Sequence, residues 1–141
     1  MSTTVHNFAV YQHNEKGNVA LLAPAPNSVL SLEEILKKDI PKNRPHFMIH
    51  KDDLPETGLL FIEAWVADYQ KESLSIDMAS AREVTRGIIR ELRGPHLESL
   101  DVSYIRASEA EDKDRMREVA SLKQLLRDLP ASPAIQEAKT P

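Results

Sequence analysis

Four arginines, Arg82, Arg86, Arg90 and Arg93, recur at spacings of four, four and three, which on a helix sets them in one stripe. Like charges at i,i+4 repel by about 0.2–0.5 kcal/mol per pair. Glu83 and Glu91 lie off that line, so other groups must meet the stripe. Three kinds of chemistry would do so: carboxylates of adjoining helices (Glu98, Asp101, Glu109, Glu111), carboxylates of a partner chain, or nucleic-acid phosphates. The acids close by in sequence favour the first. The histidines offer less. His46 and His50 have i,i+4 spacing, but Pro45 places them on a strand, where the rings stand about 13 Å apart and cannot share a metal. His6, His13 and His96 have no companions at ligand spacing.

Covalent chemistry finds little to work with. The chain has no cysteine, which removes thiol nucleophiles, disulfides and zinc–thiolate sites, and weakens the case for a small oxidised secreted module. It contains no Gly-x-Ser-x-Gly elbow and no glycine-rich phosphate loop. Asp52 and Asp53, and the cluster Glu109, Glu111 and Asp112, fall in turn contexts where carboxylates serve as caps. No catalytic residue, metal ligand set or cofactor site is therefore assigned, and the chain reads as a non-enzyme. With 18 basic and 22 acidic residues the net charge is −4, so a general nucleic-acid binder is not expected. Met1 to His6 lack the basic-then-apolar pattern of a secretory signal, and no run of 18 apolar residues exists to span a membrane. A cytoplasmic location is expected.

The elements that would carry these residues are legible from periodicity and punctuation. Phe8–Tyr11 and Val19–Leu22 flank a turn-rich stretch and read as a β-hairpin. Ser31 and Glu34 form a capping box, with Leu30 and Ile35 as its staple, opening a two-turn helix that Pro41 stops. His46–His50 reads as a strand. Residues 59–68 read as a helical turn giving way to a strand near Trp65, with Leu74–Ile76 as the next strand. From Asp77, an N-cap, the period becomes 3.6. Gly94-Pro95 reads as a helix stop followed by a new start, and Asp112 as the cap of a last helix ended by Pro130. Without a break at 109–112, residues 95–128 would form one rod about 50 Å long. The expected fold class is α+β: a small N-terminal antiparallel β unit with a short helix over 5–76, then a helical hairpin or three-helix region over 77–129. A flexible, proline-containing tail over 130–141 follows.

Trp65, the sole tryptophan, is the expected core centre, with Phe61 beside it and Ile88 and Leu92 on the helix seam. The C-terminal helices carry more apolar surface than one neighbour covers: Leu97, Leu100 and Tyr104 on one, Met116, Val119, Leu122 and Leu126 on the other, with Leu125 and Leu129 off that second stripe. Burying the excess calls for a partner, and a homodimer using Leu122 and Leu126 is expected.

Three stretches resemble small proteins of phage and prophage tail modules. They are Ser31–Ile35 through Pro41 with Phe47–Ile49 and Asp53–Pro55; Glu63–Trp65 to Asp77–Ala81; and Leu100–Asp101 to Arg106–Ala107 with Lys123–Pro130. The last, Lys-Gln-Leu-Leu-Arg-Asp-Leu-Pro, is similar to the end of tail-fibre and tail assembly chaperones. Glu111 departs from the pattern, standing where a glycine is expected before the aspartate of the turn. The resemblance implies a non-enzymatic accessory or assembly role through protein–protein contacts, with a phage tail protein as partner. The alternative reading is a small regulatory or nucleic-acid-associated protein that uses the Arg82/Arg86/Arg90/Arg93 stripe.

Overall fold

Side chains on a strand alternate between faces, and β1 (Phe8–Gln12) uses both of them. In the computed structural model, which describes residues 8–141, β1 is the central strand of an antiparallel sheet ordered β2-β1-β3, with β2 at Val19–Leu22 and β3 at His46–Ile49. Val10 pairs with Leu21 on one side and Phe47 on the other; Phe8 pairs with Ile49 and Gln12 with Val19. That register puts Phe8, Val10, Val19, Leu21, Phe47 and Ile49 on one face. The opposite face carries Ala9 and Met48. Helix α1 (Leu32–Asp39) packs against β1, and Ala9 and Ile35 are both buried. The β1–β2 connection closes through His13 N–H to Asn18 C=O at 2.7 Å, with Gly17 at φ 84° and the Asn14 side chain accepting from the Lys16 and Asn18 amides.

A second antiparallel ribbon supplies the other half of the core. A 3-10 stretch over Leu59–Ala64 leads into β4 (Trp65–Asp68), which pairs with β5 (Ser73–Ile76). Trp65 opposes Ile76 and Ala67 opposes Leu74, so one ribbon face is apolar while Val66, Asp68, Ser73 and Ser75 point outward. Val10, Val19, Phe47, Ile49 and Trp65 make one buried cluster, with Leu54, Ile62 and Tyr69 packed on it. The indole N–H donates to Thr57 Oγ1 at 3.3 Å, and Phe47 meets Tyr69 edge-on at 5.7 Å between centroids. Burial pushes the Tyr69 phenol pKa up.

The α+β class and the order of elements agree with the sequence reading, down to the switch from helical turn to strand at Trp65. The capping box is present: Ser31 N–H donates to Glu34 Oε2 at 2.7 Å, and Glu34 N–H to Ser31 Oγ at 3.3 Å. Asp77 accepts from the Ser80 amide at 3.1 Å at the start of α2. The chain divides into two compact units, residues 1–81 and 82–141. Residues 5–7 of the expected β unit, His6 among them, lie outside the described residues. No helix among the described residues is long and apolar enough to cross a membrane.

One helical expectation is corrected. Gly94-Pro95 does not divide the chain: α2 runs unbroken from Met78 to Glu109, about 48 Å over its 32 residues. Proline disfavours helix at the residue before it by pressing on that residue's Cβ, and Gly94 has none. The bond lost is the one to the Glu91 carbonyl, on an exposed turn (Glu91, Leu92 and Pro95 all face solvent) where water replaces it. Residues 130–141 continue from a 3-10 turn at Leu129–Ala131 into the short helix α4 (Pro133–Glu137) and are bonded back to α2.

Candidate functional site

The hairpin formed by the second half of α2 and by α3 (Lys113–Asp128) begins with a turn that fights its own residue type. Glu111 N–H reaches Ser108 C=O at 3.1 Å and Asp112 N–H reaches Ala107 C=O at 2.9 Å, the bonding of a Schellman C-cap, with Glu111 left-handed at φ 56°. Glycine is the residue that does this without strain. Here the acidic side chain does it, and the chain reverses all the same. Asp112 then caps α3 by accepting from Arg115 N–H at 3.0 Å. The break at 109–112 is therefore real, and the single 95–128 rod does not form.

Small residues let the two helices meet. Ala107 and Val119 are buried, and Val119 is wholly so at 0% exposure. Lys123 ties the pair together: its ammonium is salt-bridged to Asp101 and lies 5.6 Å from the centre of the Tyr104 ring, while its stem covers apolar surface. To one side of this contact the helices splay and leave a groove of about 470 Å³ lined by His96, Ser99, Leu100, Leu122, Leu125, Leu126 and Leu129. Leu100 and Leu126 form the half-buried part, whereas Leu125 is 65% exposed and Leu122 and Leu129 are 40% and 44% exposed. So both leucines named for interaction, Leu122 and Leu126, line one groove. Leu100, expected on the apolar stripe of its helix, lines it too, whereas the sequence reading missed His96 and Ser99. Leu92 belongs to the same side of α2, four residues before His96 and seven before Ser99.

That placement corrects the core assignment. Leu92 is 66% exposed, because the α2 side that meets α3 at this level is taken by Arg93. Trp65 is 4% exposed at the core centre. Phe61 and Ile88 are half-buried and stand outside the buried cluster. Phe61 sits at a kink (φ −105°, ψ 19°) in the 3-10 stretch, and Ile62 takes the core-facing position instead.

The arginine stripe finds acceptors that no acidic residue announces. Arg93 donates to the Leu126 and Arg127 carbonyls at 3.1 and 2.7 Å, satisfying orphan acceptors at the C-terminus of α3, where the helix dipole also favours a cation. Arg86 donates through Nε to Pro130 C=O at 3.1 Å and through a terminal nitrogen to Gln136 Oε1 at 3.0 Å, and it also pairs with Glu83. Arg82 donates to Ala138 C=O at 2.9 Å, while its Nε is buried without an acceptor. Arg90 is exposed. The acids expected to face the stripe lie elsewhere; Asp101, for one, belongs to Lys123.

His46 and His50 stand apart from the groove and the stripe. His46 opens β3, and His50 follows the strand and accepts from the Asp52 amide at 3.2 Å. Among the described residues no group of three or more His, Asp or Glu is placed to hold a metal ion. Compared with protein-family models, curated proteins and solved structures, the chain matches none.

Proposed function

We propose that this protein is a non-enzymatic accessory or assembly factor that acts through protein–protein contacts, as a homodimer joined across the leucine groove of its helical hairpin. The observation that supports the reading most is the groove together with the knob beside it. A 65%-exposed Leu125 borders a hollow of about 470 Å³ on the same face, so each of two copies related by a two-fold axis offers a side chain to fill and a space to be filled. Leu92, Leu122 and Leu129 widen the surface that such a contact would dry. Lys123 to Pro130, the stretch similar to tail assembly chaperones, supplies Leu125, Leu126 and Leu129 of the groove, and a phage tail protein is the further partner of the same reading. The lack of cysteine suits a reducing cytoplasm.

The nucleic-acid alternative has less to draw on, since Arg82, Arg86 and Arg93 already donate to acceptors within the chain. Sedimentation at micromolar concentration tests the reading. A dimer is expected for the wild type. Leu125→Glu is expected to give a folded monomer, because an exposed side chain carries little of the monomer's own stability. Leu122→Lys with Leu126→Lys is expected to give a monomer or an unfolded chain. A wild-type monomer at every concentration, or a Leu125→Glu dimer as tight as wild type, would overturn it.

A further inference from the structure

The stripe and the tail it holds make an unequal match. Arg82 and Arg93 carry full positive charges, yet the acceptors they meet are neutral backbone carbonyls, and the tail's bonds to the stripe use carbonyls and an amide, not a carboxylate. Arg86 has one acid, Glu83, and turns its other donors to Pro130 C=O and Gln136. Hydrogen bonds ionised on both sides are stronger than those ionised on one. A buried Arg82 Nε without an acceptor leaves a further donor unused. The segment on top is weakly built. α4 has five residues, below the length at which a helix persists, and Ile135 is its one large apolar side chain, half-buried. Segments with so few contacts open at low free-energy cost.

From these observations we infer that residues 130–138 are a displaceable strap over a cationic face, and that an acidic helical segment of a partner protein is the ligand that displaces it. The strap covers Arg82 and Arg86, and with the exposed Arg90 they span about 12 Å along α2, a length matched by two turns of a helix with glutamates four apart. The net charge of −4 works against polyanions the size of nucleic acid, whose attraction is long-ranged, and leaves local carboxylate contacts the better match. The inference does not depend on the homodimer, since neither the arginines nor residues 130–138 line the leucine groove.

The test uses the full chain and a blocked 16-residue helical peptide with glutamate at i,i+4 positions, beside a glutamine control. Hydrogen exchange should show amides 134–138 losing protection as the glutamate peptide is added and not with the control. A strap-loosened chain, Pro133→Gly with Ile135→Ser, should bind the peptide at least fivefold more tightly. Adding Arg82→Gln and Arg86→Gln should remove that gain, and raising salt from 50 to 300 mM should weaken the complex. Unchanged protection at saturating peptide, equal affinity of the loosened and wild-type chains, or a loosened chain that prefers random duplex DNA to the peptide would each overturn the inference.

Discussion

Glu111→Gly should stabilise the hairpin, which is unusual for a substitution that removes a side chain. The wild-type residue is left-handed at φ 56°, a conformation that costs an L-residue about 1–2 kcal/mol. Glycine removes that cost but adds about 0.5–1 kcal/mol of backbone entropy to the unfolded chain. The net expectation is a gain of about 0.5–1 kcal/mol, or about 4–8 °C in Tm for a cooperative unit of roughly 60 residues. Glu111 is exposed, so little packing is lost with its side chain. Neighbouring Glu109 and Asp112 offer a competing cause, relief of like-charge repulsion, and Glu111→Ala separates the two. Alanine removes the charge and keeps the strain, so it should give little of the gain. Urea unfolding followed by far-UV circular dichroism reads all three proteins. A glycine variant no more stable than wild type, or an alanine variant that gains as much, would refute the backbone argument.

Trp65→Ala should cost about 3–5 kcal/mol, from a large buried ring and the loss of its bond to Thr57, and should unfold or nearly unfold the β unit by circular dichroism. Arg93→Gln should lower the urea midpoint of the helical unit by the equivalent of about 1–2 kcal/mol, since two carbonyls at the end of α3 lose a charged donor. Glu34 sits below the usual carboxylate range because it accepts from the Ser31 backbone N–H and bonds the Ser31 side chain. A carboxyl with a depressed folded-state pKa stabilises above its unfolded value and loses that contribution as pH falls through the folded one. The Ser31 amide resonance should therefore follow a titration centred below that of an ordinary glutamate, and the pH dependence should vanish in Glu34→Gln.

Much of the fold was legible because it rests on side chains that announce themselves locally. Ser31 and Glu34 mark a helix start by type and spacing, Asp77 and Asp112 do the same, and Trp65 marks a core by size alone. The Gly94-Pro95 error came from weighing each residue by its commonest role. Together they behave differently: glycine before proline removes the clash that ordinarily ends a helix, and an exposed turn lets water take the orphaned carbonyl. Glu111 shows the converse, a turn made by a residue with the wrong propensity because the helices on either side pack well enough to hold it there.

The partners of the arginines were hidden for a different reason. A search for charge meets charge only where a carboxylate is spelled out, and acids were plentiful enough in the hairpin to look sufficient. The acceptors that Arg82, Arg86 and Arg93 found are carbonyls of Ala138, Pro130, Leu126 and Arg127, groups that every residue carries and no letter of the sequence distinguishes. Two of them exist as unsatisfied acceptors only because α3 ends where it does; the others are presented by the chain from Pro130 onward. With Arg93 turned toward α3, its neighbour Leu92 is left exposed on the groove side of the hairpin. The stripe and the groove thus share one cause: guanidinium groups took the positions that an apolar seam would have filled, leaving leucines without cover within the chain.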